Sequence, residues 1–171
     1  MNKILADMHT HTIASGHAYA TLTEMCKEAS NKGLEIYGIT EHSSGTPGTC
    51  ADIYFQNLRV VPRDLFGLDL RLGAEINIID YNGTLDLDQK YIDRLDFVIA
   101  GIHSVCYKFG SKEENTAAII NAIKNPNVNI ISHPDDGRCP LDYEALVQAA
   151  KEYHVLLEIN NNALRLSLIH I

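Results

Sequence analysis

Histidine is the residue type through which this sequence can carry out chemistry. The 171-residue chain has eight histidines and no tryptophan. His9 and His11 are two residues apart, so on an extended chain both rings project to the same side and can face one ion. Further along come four more histidines and a glutamate whose two carboxylate oxygens can bridge two ions: His17, His42, Glu75, His103 and His133.

The elements that position these residues follow from hydrophobic patterning. Short apolar runs alternate with amphipathic stretches, which is typical of parallel βα units in a single α/β domain. Six apolar runs are predicted to be strands, at residues 4–8, 36–40, 70–79, 97–102, 129–132 and 155–159. Helices are predicted at three capping patterns: Thr21 with Glu24, Ser111 with Glu114, and Asp142 with the apolar pair Leu141 and Leu146. Residues 43–67 are predicted to form a long functional loop.

Five of the six histidines named above lie at or just beyond the carboxyl end of a predicted strand, and His17 lies in the loop after the first strand. Binding sites of barrels and open α/β folds are built at this edge. One such histidine alone would more often be an ordinary surface or core residue. Six at one edge are hard to explain by packing, because each buried ring nitrogen needs a partner. A metal cluster would satisfy them together.

The predicted ligands are rich in nitrogen and poor in carboxylate. His9 and His11 can hold one ion with Glu75, which can bridge to a second ion completed by His103 and His133. Such a set favours zinc, manganese or iron over magnesium or calcium. The residue types alone do not choose among these three metals.

Six motifs, in chain order, resemble the PHP (polymerase and histidinol phosphatase) family, especially its small stand-alone bacterial phosphatases. They are DMHTHT at residues 7–12, ITEH at 39–42, GAE at 73–75, GIHS at 101–104, ISHP at 131–134 and LEINN at 157–161. The resemblance implies an α/β fold, a distorted (βα)7 TIM-like barrel with a trinuclear metal site. It also implies phosphoester hydrolysis.

The resemblance also implies three ligand sets. They are His9, His11 and Glu75 for one ion, Glu75, His103 and His133 for a second, and His17 with His42 for a third. In the family an Asp-x-His motif after the last strand completes the first and third ions. No such motif follows Asn162 in this sequence. We therefore expect an incomplete barrel of about six strands with a weak or empty third ion site. The expected cofactors are two to three divalent ions, zinc first, with manganese or iron as alternatives.

Residues 1–162 are accordingly expected to be the PHP domain, and residues 163–171 a tail of uncertain and not necessarily native origin. His170 is a candidate substitute ligand in that tail. An open barrel edge and the apolar tail predict self-association into a homo-oligomer.

The predicted function is a metal-dependent hydrolase that cleaves phosphate monoesters of small substrates by attack of metal-activated water. Bound cations lower the pKa of water towards about 7 and neutralise the phosphoryl oxygens. Glu75, His17 and Asp135 are the predicted catalytic residues. A metal-bound water, His17 or Asp135 could donate the proton to the leaving alcohol. Arg59 and Arg63 are candidate phosphate ligands, although either could be an ordinary surface arginine.

Two other functions stay open. Amidohydrolase barrels also begin with His-x-His, but no lysine lies at a predicted strand end here to bridge metals. The second open function is a non-catalytic, metal-binding accessory domain. Every expected ligand up to His133 is present, which argues against the loss of ligands that such a domain can show.

Composition bears on partners and location. A formal net charge of −8 argues against stable nucleic-acid binding. No apolar stretch approaches the roughly 20 residues of a membrane span, and the four cysteines lack zinc-finger spacing. A cytoplasmic location is the expectation.

Overall fold

The computed structural model of the chain describes residues 4–159. Its strands are β1 (Ala6–Asp7), β2 (Ile36–His42), β3 (Asp69–Asn77), β4 (Phe97–Gly101), β5 (Ile130–Ile131) and β6 (Leu156–Leu157). Between them lie helices α1 (Leu22–Asn31), α2 (Ile53–Asn57), α3 (Gln89–Ile92), α4 (Lys112–Ile123) and α5 (Tyr143–Tyr153). One helix therefore separates each strand from the next.

The strands follow one another across the sheet in chain order. The pairs β1–β2, β2–β3, β4–β5 and β5–β6 are parallel. In the longest ladder Ile36 is opposite Asp69 and His42 is opposite Glu75. Because β2 and β3 are parallel, this register brings a histidine and a glutamate to the same end of neighbouring strands.

The chain divides into two compact units. Within the described residues, the first unit comprises residues 4–75 and 87–98, and the second comprises residues 76–86 and 99–159. The core of the first includes Cys26, Ile39, Phe55, Leu70 and Leu72, and that of the second includes Ile78, Ile99, Ile123, Ile131 and Leu146. Burying one such aliphatic side chain contributes about 1.5–3 kcal/mol of transfer free energy. Each unit thus has an apolar core of its own.

The three predicted helix starts are confirmed. At α1 the Thr21 hydroxyl accepts from the Glu24 backbone N–H, while the Glu24 carboxylate accepts from the Thr21 N–H at 2.8 Å. Ser111 and Glu114 make the same reciprocal pair at α4. The Asp142 carboxylate caps α5 by accepting from the Ala145 N–H at 3.1 Å.

The structure differs from the sequence prediction in two respects. The predicted loop at residues 43–67 contains the short helix α2, and α3 was not predicted. Neither helix begins with a side-chain cap, so the signal that identified the longer helices is missing. In addition, β1, β5 and β6 are only two residues long, because an apolar run does not determine how many residues pair with the neighbouring strand.

The predicted fold class is confirmed as α/β with six parallel strands. No helix within residues 4–159 has the length and apolar content that crossing a bilayer would require. Asn160–Asn162, the predicted tail and His170 lie outside the described residues.

Candidate metal centre

The segment that carries His9 and His11 is held against β2. The Thr10 hydroxyl donates to the Gly38 carbonyl oxygen at 2.6 Å, and the Thr40 N–H donates to the Thr10 carbonyl oxygen at 2.8 Å. Gly38 permits this close approach, because a Cβ there would lie 2.8 Å from the Met8 Cα and carbonyl oxygen. The positions of both histidines therefore depend on a glycine in the neighbouring strand.

Three imidazole rings converge on one carboxylate oxygen in the first unit. Glu75 Oε2 lies 3.1 Å from His9 Nε2, 3.2 Å from His11 Nε2 and 3.2 Å from His42 Nδ1. The Glu75 side chain is only 1% exposed. Burying a carboxylate is costly unless hydrogen-bond donors or cations surround it, so this arrangement favours a cation-binding role.

The distances among these donor atoms fit a metal ion. Ligand atoms that lie about 2.0–2.2 Å from one ion are about 3.0 Å apart at octahedral angles and about 3.4 Å apart at tetrahedral angles. The measured separations are 3.1–3.2 Å. Imidazole nitrogen and carboxylate oxygen are also the donors that zinc accepts. The residues of the first unit therefore fit the predicted ion.

A second group in the same unit consists of His11, His17 and His42, whose donor atoms lie within 4.8 Å of one another. The His17 ring is 4.9 Å from that of His11 and 5.0 Å from that of His42 between centroids. His17 follows Gly16, which has φ of 75°. A Cβ on Gly16 would meet the Gly48 carbonyl oxygen at 2.1 Å. This sharp turn directs His17 towards the other rings.

We call His9, His11, His17, His42 and Glu75 the first cluster. The sequence prediction placed His42 with His17 alone. The structure adds contacts of His42 with Glu75 and a stacked arrangement with His11 at 4.5 Å between ring centroids. His42 therefore lies beside both predicted ion positions of this unit.

A buried acid that sequence reasoning did not assign supports the first cluster. Glu41 is 0% exposed and accepts hydrogen bonds from the Thr12 and Ser15 hydroxyls, each at 2.5 Å. Burial raises the pKa of the nearby Tyr54 phenol, and the negative charge of Glu41 raises it further. The position of an acidic residue between the predicted strand at residues 36–40 and His42 was the signal that could have identified Glu41.

The second unit contains a second cluster, formed by His103 and His133. Their Nε2 atoms are 3.2 Å apart, and the ring centroids are 5.0 Å apart in an edge-to-face arrangement. His103 Nδ1 contacts Asn77 Oδ1 at 2.7 Å, while Asn77 Nδ2 donates to Asp86 Oδ2 at 2.7 Å. Since the amide NH2 faces Asp86, its oxygen faces His103. Nδ1 of His103 is then the donor, and its Nε2 keeps a lone pair.

His133 has an unusual backbone conformation. Its φ is 31°, in the region that β-carbon sterics disfavour. Its N–H donates to Glu158 Oε2 at 2.8 Å. Strain of this kind occurs at sites where a side chain must be aimed, and here it accompanies the contact with His103.

The remaining predicted residues have different surroundings. Asp135 is partly buried in the second unit, two residues beyond His133, while Arg59 is exposed in the first. The Arg63 guanidinium donates to Asp96 at 2.9 Å and to the Leu58 and Val61 carbonyl oxygens. These contacts favour a structural role for Arg63, and phosphate binding by either arginine stays a prediction.

The fold and the site define the class of this protein: an α/β protein with histidine clusters at its strand ends. A model of the PHP domain matches residues 7–164. This chain belongs to the PHP domain family.

Related sequences agree with this assignment. The chain is 48% identical over 161 residues to a protein of Acetivibrio thermocellus named "Probable phosphatase", an alignment that covers 94% of this chain and 67% of the relative. It is 51% identical over 155 residues to a protein of the same name from Caldicellulosiruptor saccharolyticus, covering 91% of this chain and 65% of the relative. The chain thus spans about two thirds of the length of the curated relatives it matches.

A solved structure shows the same fold. The histidinol phosphate phosphatase of Lactococcus lactis, crystallised with zinc, L-histidinol and phosphate, matches with a TM-score of 0.56 and 19% sequence identity. The match covers 91% of this chain and 72% of that protein. At this identity the match supports the expected PHP-type fold.

Proposed function

We propose that this chain is a metal-dependent phosphatase that hydrolyses small phosphate monoesters, with Zn²⁺ as its preferred ion. The observation that carries the proposal is the approach of three ring nitrogens to within 3.1–3.2 Å of one buried Glu75 oxygen. The names of the relatives and the zinc and phosphate bound by the Lactococcus lactis enzyme support it.

In this proposal the first cluster holds one ion tightly through His9, His11 and Glu75. His17 and His42 hold a weaker ion near His11. His103 and His133 belong to a further ion, and the sharing of Glu75 with that ion stays a prediction from the resemblance. Divalent ions bound in this way activate water and neutralise charge on phosphoryl oxygens.

The residues of the chain contribute binding, orientation and proton transfer. When the weaker ion site is empty, the exposed His17 can reach a substrate oxygen from solvent, so we propose that its imidazole then donates a proton to the leaving alcohol. Asp135 is the alternative donor.

The test combines metal analysis with an activity screen. Purified protein is titrated with Zn²⁺ or Mn²⁺, bound metal is counted by elemental analysis, and hydrolysis of p-nitrophenyl phosphate is followed. We expect tightly bound metal and metal-dependent hydrolysis, with both reduced in His11→Ala. The control is His154→Asn, because His154 lies at the α5 C-terminus with φ of 58°, a conformation that asparagine tolerates.

Two outcomes would contradict the proposal. Absence of both bound metal and activity would favour the accessory-domain reading. Cleavage of amides without cleavage of phosphate esters would favour the amidohydrolase reading.

A further inference from the structure

Glu41 lies in the middle of a buried hydrogen-bond network beside the first cluster. Glu41 Oε2 accepts from the Ser15 hydroxyl at 2.5 Å and from the Thr12 N–H at 3.1 Å. Glu41 Oε1 accepts from the Thr12 hydroxyl at 2.5 Å. Glu41 is 0% exposed and Ser15 is 1% exposed, so water does not compete for these bonds.

Ser15 connects this carboxylate to the first cluster. Its hydroxyl has a single proton, which it donates to Glu41. Its oxygen accepts from the His42 N–H at 3.0 Å and lies 3.0 Å from His11 Nδ1. Because the only hydroxyl proton is already donated, the remaining contact requires His11 Nδ1–H as the donor and Ser15 Oγ as the acceptor.

This arrangement decides which nitrogen of His11 can bind a cation. A neutral imidazole carries one proton, so protonation at Nδ1 leaves a lone pair on Nε2. His11 Nε2 is the atom that lies 3.2 Å from Glu75 Oε2. The free lone pair therefore faces the predicted ion.

We propose that Glu41 is a positioning residue that acts through Ser15 to fix the tautomer and ring orientation of His11. The proposal rests on the proposed function only in treating His11 as a metal ligand. Through the His42 N–H the same serine also holds the end of β2 beside the cluster. One buried carboxylate thereby orients the chain segments of two histidines without contacting the ion.

The direct test is the tautomer of His11 in metal-free protein that carries Glu75→Ala, because the Glu75 carboxylate 3.2 Å from Nε2 would otherwise favour a proton on that nitrogen. Long-range ¹H–¹⁵N correlation spectra distinguish Nδ1–H from Nε2–H imidazole in the neutral state. In this background we expect Nδ1–H when Ser15 is intact and when it is replaced in Ser15→Thr, which keeps the hydroxyl. Ser15→Ala and Glu41→Ala should show a mixture or the Nε2–H form. An unchanged Nδ1–H tautomer in both folded alanine variants would overturn the proposal.

Zn²⁺ affinity, measured by competition with a chromophoric chelator, is the second readout. Loss of a hydrogen bond that orients a ligand typically costs about 10–100-fold in metal affinity, so Ser15→Ala should fall in that range. Glu41→Gln should lose less, because its amide oxygen can still accept from Ser15. Glu24→Ala is the control, since it removes an acidic group from the exposed α1 cap without touching the histidines.

These readouts separate the two proposals. Circular dichroism identifies variants that fold, and Ser15→Ala keeps the test decisive if Glu41→Ala does not fold. Wild-type Zn²⁺ affinity in folded Ser15→Ala would overturn the positioning role even if the enzyme is an active phosphatase. Conversely, the tautomer shift in metal-free variants would support the role even if phosphate esters are not cleaved.

Discussion

Gly38→Ala should weaken metal binding although Gly38 contacts no predicted ligand. The new Cβ would lie 2.8 Å from the Met8 Cα, whereas ordinary van der Waals contact begins at 3.4 Å. Relief of this contact requires a shift of about 0.6 Å, about three times the 0.2 Å tolerance of metal–ligand distances. Because Met8 precedes His9 directly, the shift acts on the ligand segment.

The expected size of the effect follows from these distances. Overpacking costs about 1–3 kcal/mol, and alanine recovers about 0.5–1 kcal/mol relative to glycine within a strand. We expect a net loss of about 1 kcal/mol in the free energy of unfolding and at least about tenfold weaker Zn²⁺ binding.

Urea denaturation and chelator competition measure the two quantities. Gly137→Ala is the matched control, because a Cβ at Gly137 has nothing within 4 Å and should change stability by less than about 0.5 kcal/mol. Wild-type stability and Zn²⁺ affinity in Gly38→Ala would refute the reasoning.

Three further predictions concern other parts of the chain. Arg63→Ala should lose about 1 kcal/mol of unfolding free energy, because three hydrogen-bond acceptors lose their donor. Arg59→Ala should not lose this stability. A raised KM of Arg63→Ala at unchanged stability would instead indicate phosphate binding. Burial raises the pKa of Cys139 to about 11, so the stability due to its neutral thiol is present below about pH 9 and lost towards about pH 11. The difference in urea midpoint between wild type and Cys139→Ala should narrow over that range, and a constant difference would contradict this. Glu158→Ala should weaken Zn²⁺ binding about tenfold by releasing the His133 N–H, and unaltered titration curves would argue against it.

The fold and the first cluster were predictable because their signals are local. Capping pairs such as Thr21 with Glu24 lie three residues apart and act within one turn. The two-residue spacing of His9 and His11 predicted that both face the same side, and the end of a predicted strand located His42. Hydrophobic runs then located the strands that place these residues.

The supporting residues could not be predicted, because their contacts are distant in the sequence. Glu41 meets Thr12 and Ser15 at separations of 29 and 26 residues. Asn77 faces His103 across 26 residues. A sequence pattern gives the face on which a residue lies, but not the partner that its second polar atom finds. Self-association and a cytoplasmic location likewise stay predictions.

The register between β2 and β3 distinguishes the correctly folded sheet from a misaligned one. His42 is opposite Glu75 in the observed ladder, and Glu41 precedes it by one residue. A slip of one position that moves Glu41 opposite Glu75 would set two carboxylates side by side, which is unfavourable between neighbouring strands. A slip of one position in either direction would turn the apolar side chains of β2 to the wrong face. Misalignment is therefore penalised by charge and by packing together, and a deletion of one residue within β2 should be among the least tolerated changes in this gene.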